Sequence, residues 1–197
     1  MESEDSTESL IRDRKKLAVL GINVNSSTFG RIFSKLEFLT AFSYLRDIVD
    51  KNSIPYHSVE YEGYALPGDH IDDLVLKKIG VIGRKTASTI STPSEYQVQF
   101  SALEKWGMIR SHGQSNLGQA LESIRKTGIK NVFLSGFITE FNILGASFET
   151  IKRGMVPVVI SDAVSSPNER LHFHGLEILS NFCFIADSRD LMKGWDI

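Results

Sequence analysis

Cysteine is almost missing from this chain. The single Cys183 among 197 residues leaves no partner for an internal disulfide and no cysteine-rich metal centre, so stability has to come from packing. Proline is sparse too, at five residues, which leaves long stretches free to form helices and strands. Neither charge sign dominates: Lys and Arg number 22 and Asp and Glu 24, a formal net charge of −2. That balance lacks the basic footprint used to bind nucleic acid or an anionic membrane surface, and neither is an expected partner. No apolar run approaches the ~20 residues of a membrane span. The opening residues, Met1-Glu2-Ser3-Glu4-Asp5, are the acidic opposite of a secretory leader, so the expected location is cytoplasmic.

What the chain does contain is an apolar fraction of 42%, including 12 phenylalanines, enough for one well-buried core and too little for two comfortable domains. Residues 1–14 read as a flexible acidic tail and 15–197 as a single domain. Lys16 to Ile22 is a continuous apolar strand, the pattern of a strand covered on both faces. A Ser/Thr/Asn/Gly loop follows, and apolar residues at Ile32, Leu36, Leu39, Leu45, Ile48 and Val49 predict a long helix through Asp50. Pro55 to Tyr61 predicts a second strand, and 63–70 a loop. Residues 71–96 are the least legible, with a short helix over Ile71 to Ile79 and an irregular Ser/Thr-rich stretch after it. Gln97 to Leu103 reads as a third strand, with a polar loop from Glu104 to Gln114. Ser115 is expected to cap a helix that stops at Gly128. Strands are further expected over Met155 to Ile160 and Phe182 to Ile185, with a helix from Asn168 between them. Alternating strands and helices with right-handed crossovers imply a three-layer, doubly wound α/β sheet of about six mostly parallel strands.

The informative stretch is Asn131 to Ala146. Val132 to Leu134 reads as a buried strand, Gly136 permits a sharp turn, and Thr139 opens a helix whose apolar positions Ile143, Leu144, Phe148 and Ile151 repeat at helical spacing. Such a turn aims backbone N–H groups and a helix's positive end at one point outside the sheet, where an α/β protein binds ligands. The pattern Gly136-x-x-Thr139-x-x-Asn142-x-x-Gly145-Ala146, followed by Arg153-Gly154, the strand Val156 to Ile160 and Ser161-Asp162-Ala163, resembles the Gly-x-x-Thr-x-x-Cys signature region of the isochorismatase-like hydrolases, a Rossmann-like superfamily that includes nicotinamidases and N-carbamoyl amidohydrolases.

The resemblance implies a nucleophilic cysteine, a proton-shuttling aspartate and a lysine that stabilises developing negative charge. It assigns Asn142 to the cysteine position and Gly21 to the aspartate position, with Asn23 following. Neither a carboxamide nor a glycine can act as nucleophile or base. Lys105 is the matching lysine. The resemblance further implies a cis peptide at Ile138–Thr139. The donor-rich concavity formed by Gly136, Thr139 and the helix N-terminus, with Lys105 adding a positive charge, suits a small anion or carboxylate as ligand, held among Asn23, Lys105, Gly136, Ile138, Thr139 and Asn142. The resemblance also implies a homo-oligomer assembled through helices carrying Phe141, Phe148, Phe173 and Phe182. No cofactor is expected, and no metal: Tyr61-Glu62-Gly63-Tyr64 stands where metal-binding relatives carry Asp-x-His, while His57, His172 and His174 read as packing or surface residues. Cys183 reads as an inert core thiol. The expected function is that of a catalytically degenerate protein retained for small-molecule binding or assembly. The alternatives are an active hydrolase with rearranged residues, drawing on Ser111, His112, Glu104 or Glu140, and a purely structural oligomer.

Overall fold

The computed structural model describes residues 16–61 and 92–194. Six strands, all parallel, form one sheet in the order β3-β2-β1-β4-β5-β6: β1 (Leu17–Ile22), β2 (Tyr56–Glu60), β3 (Gln114–Asn116), β4 (Asn131–Phe137), β5 (Val156–Ser165) and β6 (Phe184–Ala186). Helices α1 (Ser26–Phe29), α2 (Lys35–Asn52), α3 (Ser94–Arg110), α4 (Leu117–Lys126), α5 (Leu144–Lys152), α6 (Glu169–Leu179) and α7 (Ser188–Gly194) connect and cover it. The doubly wound sheet expected from the sequence is present. The loop and short helix expected over 63–91, and the acidic tail, lie outside the described residues.

The two-residue period of a strand splits the core in two. Leu17, Val19, Phe133 and Phe137 point to one face and meet Phe38, Phe42 and Leu45 of α2, Phe100 and Leu103 of α3 and Leu191 of α7. Ala18, Leu20, Ile22, Val132 and Leu134 point to the other and meet Leu117, Leu121 and Ile124 of α4, Ala146 of α5 and Leu179 of α6. Phe38, Phe42, Phe100, Phe133 and Phe137 are fully buried. Each stabilises the fold by about 1.5–3 kcal/mol relative to exposure, so register in the first cluster is strongly held.

Three expectations need correction. Residues 97–103 are part of helix α3 and not a strand; its inward residues Phe100, Leu103 and Gly107 do fall at helical steps, but exposed Val98, Met108 and Ile109 blur the period. The third strand is instead the short Gln114–Asn116, inside the segment read as loop and cap; Asn116, not Ser115, caps α4, accepting the amide of Gln119 at 2.9 Å. Leu36, expected inward, is exposed, because α2 turns Phe38, Phe42, Leu45 and Val49 to the sheet. β5 also runs five residues past its expected end at Ile160. Its last residue, Ser165, shares a hydrogen bond of 2.7 Å with Ser34, and the next carbonyl, that of Ser166, accepts the amide of Phe33.

Candidate functional site

The strand order reverses between β1 and β4, and a crevice outside their carboxyl ends is where such sheets take ligands. A cleft of about 400 Å³ opens there, lined by Asn23 and Asn25 beyond β1, Thr28 and Arg31 of the following segment, Glu60 and Tyr61 at the end of β2, and Ile138 and Asn142 beyond β4. Asn23 sits at φ 51°, and its carboxamide grips the backbone of Tyr61 twice: Nδ2 donates to the carbonyl at 2.5 Å and Oδ1 accepts the amide at 2.8 Å. One side chain thereby fastens the end of β1 to the end of β2. Glu104 of α3 accepts from both the amide and the hydroxyl of Ser26, which docks α1 against α3.

The floor of the cleft is the turn after β4. The peptide Phe137–Ile138 is cis, one bond earlier than expected, and Thr139–Ile143 forms a π-helical turn leading into α5. This turn turns its donors on itself. The carbonyl of Ile138 receives the amides of Phe141, Asn142 and Ile143 at 3.3, 2.8 and 3.1 Å, while the amide of Thr139 donates to Ser166 Oγ at 3.0 Å. Asn142 is buried and donates through Nδ2 to the carbonyl of Phe137 at 3.1 Å. The donor-rich concavity expected for an anion is therefore taken up inside the turn.

A second layer holds the turn from behind. Buried Thr139 Oγ1 meets His172 Nδ1 of α6 at 2.8 Å, and Ser166 Oγ donates to Glu140. Desolvation drives the His172 imidazole down to about 4, so it is neutral at physiological pH, and burial raises the Glu140 carboxyl against the opposing bond from Ser166. Gly175 lets α6 approach this layer, since a Cβ there would stand 3.1 Å from the Glu140 backbone. His172, read from sequence as a surface or packing residue, is a buried bonded member of this layer.

Gly21 lies within β1, paired with Ser58 of β2 and Ser135 of β4. A Cβ built on it would overlap the hydroxyl of Tyr56 and come within 2.8 Å of Cζ. The same hydroxyl is 3.1 Å from the corresponding point on Gly107 of α3, so the buried tyrosine fills the room between two glycines. Gly136, expected to make the turn, sits inside β4 at φ 112°, where a Cβ would overlap the carbonyl oxygen of Ile22. It permits the close approach of β4 to β1 and is buried away from solvent.

The structure thus brings Asn23, Ile138 and Asn142 to one cleft, with Thr139 buried behind it, and leaves Lys105 outside. Lys105 is exposed on α3, beside a separate hollow of about 450 Å³ shared with Asp50, Ala102, Trp106, Ile109 and Arg110. The rearranged-hydrolase residues are likewise scattered: Ser111 Oγ donates to the carbonyl of Gly113 at 2.5 Å, His112 is exposed, Glu104 holds Ser26 and Glu140 faces Ser166. Cys183 is buried, its thiol pushed up to about 11 by desolvation. Among the described residues, no three His, Cys, Asp or Glu side chains cluster as metal ligands, and no helix is long and apolar enough to cross a membrane.

Residues 104–190 match the sequence model of the family described as Isochorismatase domain. Similar solved structures span nearly the whole chain. In sequence over residues 104–190, and in fold along nearly its whole length, the chain is similar to isochorismatase-like proteins. An isochorismatase family protein from Burkholderia thailandensis is 14% identical, with 93% of this chain and 97% of that one covered at a TM-score of 0.63. The MAR1 ribonuclease of Caenorhabditis elegans is 16% identical over 92% of this chain and 81% of that one, also at 0.63. The YcaC gene product of Escherichia coli, described as an octameric hydrolase of unknown specificity, is 15% identical over 91% and 78% at 0.58. No curated protein matches the chain at a significant level. The isochorismatase-like fold accounts for the sheet order and the strand-turn-helix at β4. Tyr56 is a residue whose place in the site only the spatial neighbourhood of Gly21 and Gly107 reveals.

Proposed function

We propose that this isochorismatase-like protein is non-catalytic and binds a small molecule in the cleft beyond β1 and β4. The observation that carries the reading is the seating of Tyr56. Where the resemblance calls for an aspartate side chain, Gly21 leaves room and a buried tyrosine ring fills it, so no carboxylate can stand there without displacing the core. Asn142 at the nucleophile position offers neither nucleophile nor base, and its amide is tied to Phe137. The turn amides that would stabilise an oxyanion are bonded within the turn or to Ser166. Dispersal of Ser111, Glu104 and Glu140 over separate hydrogen bonds, with His112 exposed, weighs against a rearranged hydrolase, which needs a nucleophile and base within reach of each other.

The reading is tested by incubating the purified full chain with nicotinamide, an N-carbamoyl amino acid and isochorismate, and following ammonia release and product mass. The expected rate equals that of a protein-free blank. Turnover that co-elutes with the protein and responds to Glu140→Gln or Ser111→Ala would overturn it.

Assembly into a homo-oligomer in the cytoplasm is part of the same proposal. The outer face of α5 and the turn before it expose Phe141, Phe148 and Ile151, and Phe148 stacks on Phe182 at 4.7 Å, an apolar surface of the kind that marks a protein interface. The E. coli relative's description as an octamer agrees with this reading.

A further inference from the structure

We propose that the acidic amino-terminal segment of the chain, residues 1–14, docks on the hollow between α2 and α3, with Leu10 and Ile11 against Trp106 and a carboxylate ahead of them paired with Lys105. The hollow, of about 450 Å³, is bounded by Asp50 near the end of α2 and by Ala102, Lys105, Trp106, Ile109 and Arg110 of α3. It is a different place from the cleft. The cleft opens at the carboxyl ends of the strands, whereas the hollow adjoins the segment that enters β2, where Arg110 donates to the carbonyl of Ile54 at 3.3 Å.

The floor of the hollow is held by its own contacts. The Trp106 indole donates to Asp50 at 3.0 Å, packs on Tyr56 with ring centres 4.7 Å apart and meets Phe42 edge-on at 6.1 Å. Arg110 pairs with Asp50 at 3.3 Å, so the one acid of the hollow is already answered. Two things are left over. One is apolar surface, since Ile109 is 65% exposed; the other is Lys105, exposed and without an ion pair among the described residues. An occupant that answers both carries apolar side chains next to a carboxylate.

The chain supplies such a segment at the right end of the sheet. Residues 1–9 hold the acids Glu2, Glu4, Asp5 and Glu8 and no base, and Leu10 and Ile11 follow them. The root of this segment stands near the hollow. The amide of Val19, close behind Lys16, donates to the carbonyl of Pro55 at 2.9 Å, and Pro55 is next to the Ile54 that Arg110 holds. From Lys16 back to Leu10 an extended chain reaches up to about 20 Å, enough to bring the apolar pair to α3. Tethering gives the segment an effective concentration on the order of millimolar, so it takes the site ahead of a free partner of the same chemistry.

The experiment is zero-length carbodiimide cross-linking of the full chain at low micromolar concentration, followed by digestion and mass spectrometry. The expected product is an amide between the Lys105 amine and the carboxylate of Glu2, Glu4, Asp5 or Glu8. An equal mixture of unlabelled and nitrogen-15-labelled chains is expected to give that product without mixed isotopes, because donor and acceptor belong to one molecule. The double variant Leu10→Ser with Ile11→Ser should lower its yield about tenfold, as loss of two buried aliphatic side chains implies. The same variant, and Lys105→Glu separately, should raise hydroxyl-radical oxidation of Trp106 and Ile109, with circular dichroism unchanged to show that the fold is intact. Absence of a product at Lys105, or a yield and a Trp106 oxidation that ignore the apolar pair, overturns the docking. A product of mixed isotopes alone places the segment on a second copy and overturns the seat within one chain.

Discussion

Tyr56 and Gly21 share one space in the core. A Cβ at position 21 overlaps the tyrosine hydroxyl, and shortening the tyrosine alone empties a buried space. Gly21→Ala is expected to cost about 1–3 kcal/mol by overpacking and Tyr56→Leu about 2–4 kcal/mol by cavity formation. The double variant should cost less than the sum of the two, by about 1 kcal/mol or more, because each change relieves the other. Urea denaturation of the four proteins measures this directly; strict additivity would mean the two residues do not compete for the same room. His172 makes a prediction in pH. Its folded value lies near 4 and an unfolded histidine titrates near the usual 6.5, so between those values the unfolded chain binds more protons and stability rises with pH. Acidification from 6.5 toward 4 therefore removes stability, by on the order of 2–3 kcal/mol for a shift of this size. Among the described residues, its ring is bonded to Thr139 and packed against Phe33 and Phe173. Glu140, whose carboxyl is raised, has the opposite sign across the carboxylate range, favouring the folded state when protonated. His172→Gln should flatten the dependence of the urea midpoint between pH 4.5 and 6.5; an unchanged slope would assign it to other groups.

At the scale of elements, β4 and the turn after it decide where the cleft lies. Gly136 sits at a register shift, with positive φ and no room for a Cβ beside Ile22. Gly136→Ala is expected to destabilise by more than about 4 kcal/mol, at the extreme of single substitutions, because backbone strain and a backbone clash combine. Circular dichroism and solubility of the variant check this, and a soluble protein with an unshifted melting midpoint would contradict the placement of β4. Although Gly136 sits inside β4 and not in the turn expected of it, most of this element was legible in the sequence: an apolar run, a threonine and a helical period are local signals. So were β1, β2, the helix begun by Asn168 and the interval from Val156 to Ile160. Helix α3 was not, since its inward face is only Phe100, Leu103 and Gly107 and its outward face carries Val98, Met108 and Ile109. An apolar period cannot be read when both faces are apolar. The resemblance places Lys105 beside the site, whereas a helix that packs through Phe100, Leu103 and Gly107 turns Lys105 outward.

For the molecule as a whole, the exposed face of α5 matters most. Phe148 and Ile151 are 47% and 40% exposed and Phe148 stacks on Phe182, apolar area that a second copy of the chain would bury. Multi-angle light scattering at micromolar concentration is expected to report a dimer or larger assembly, and Phe148→Glu together with Ile151→Glu should shift it to monomer with the fold intact. A wild-type monomer would remove assembly from the proposal.

The order of amino acids by itself determined the α/β class, the parallel strands β1, β4 and β5, the start of α6 at Asn168, the resemblance to isochorismatase-like hydrolases and the residues, Asn142 and Gly21, at the two positions that it assigns to cysteine and aspartate. These are properties of neighbouring residues, since propensity, capping and periodicity act over a few positions along the chain. Only the tertiary structure decided that Tyr56 fills the space at Gly21, that Lys105 stands apart from Asn142, that the turn amides are consumed by Ile138 and Ser166, and that Arg31 and Glu60 share a cleft. Each of those joins residues from separate strands and helices, or turns on how a helix is rotated against the sheet. Packing sets such distances, and packing is not written in any single stretch of the chain.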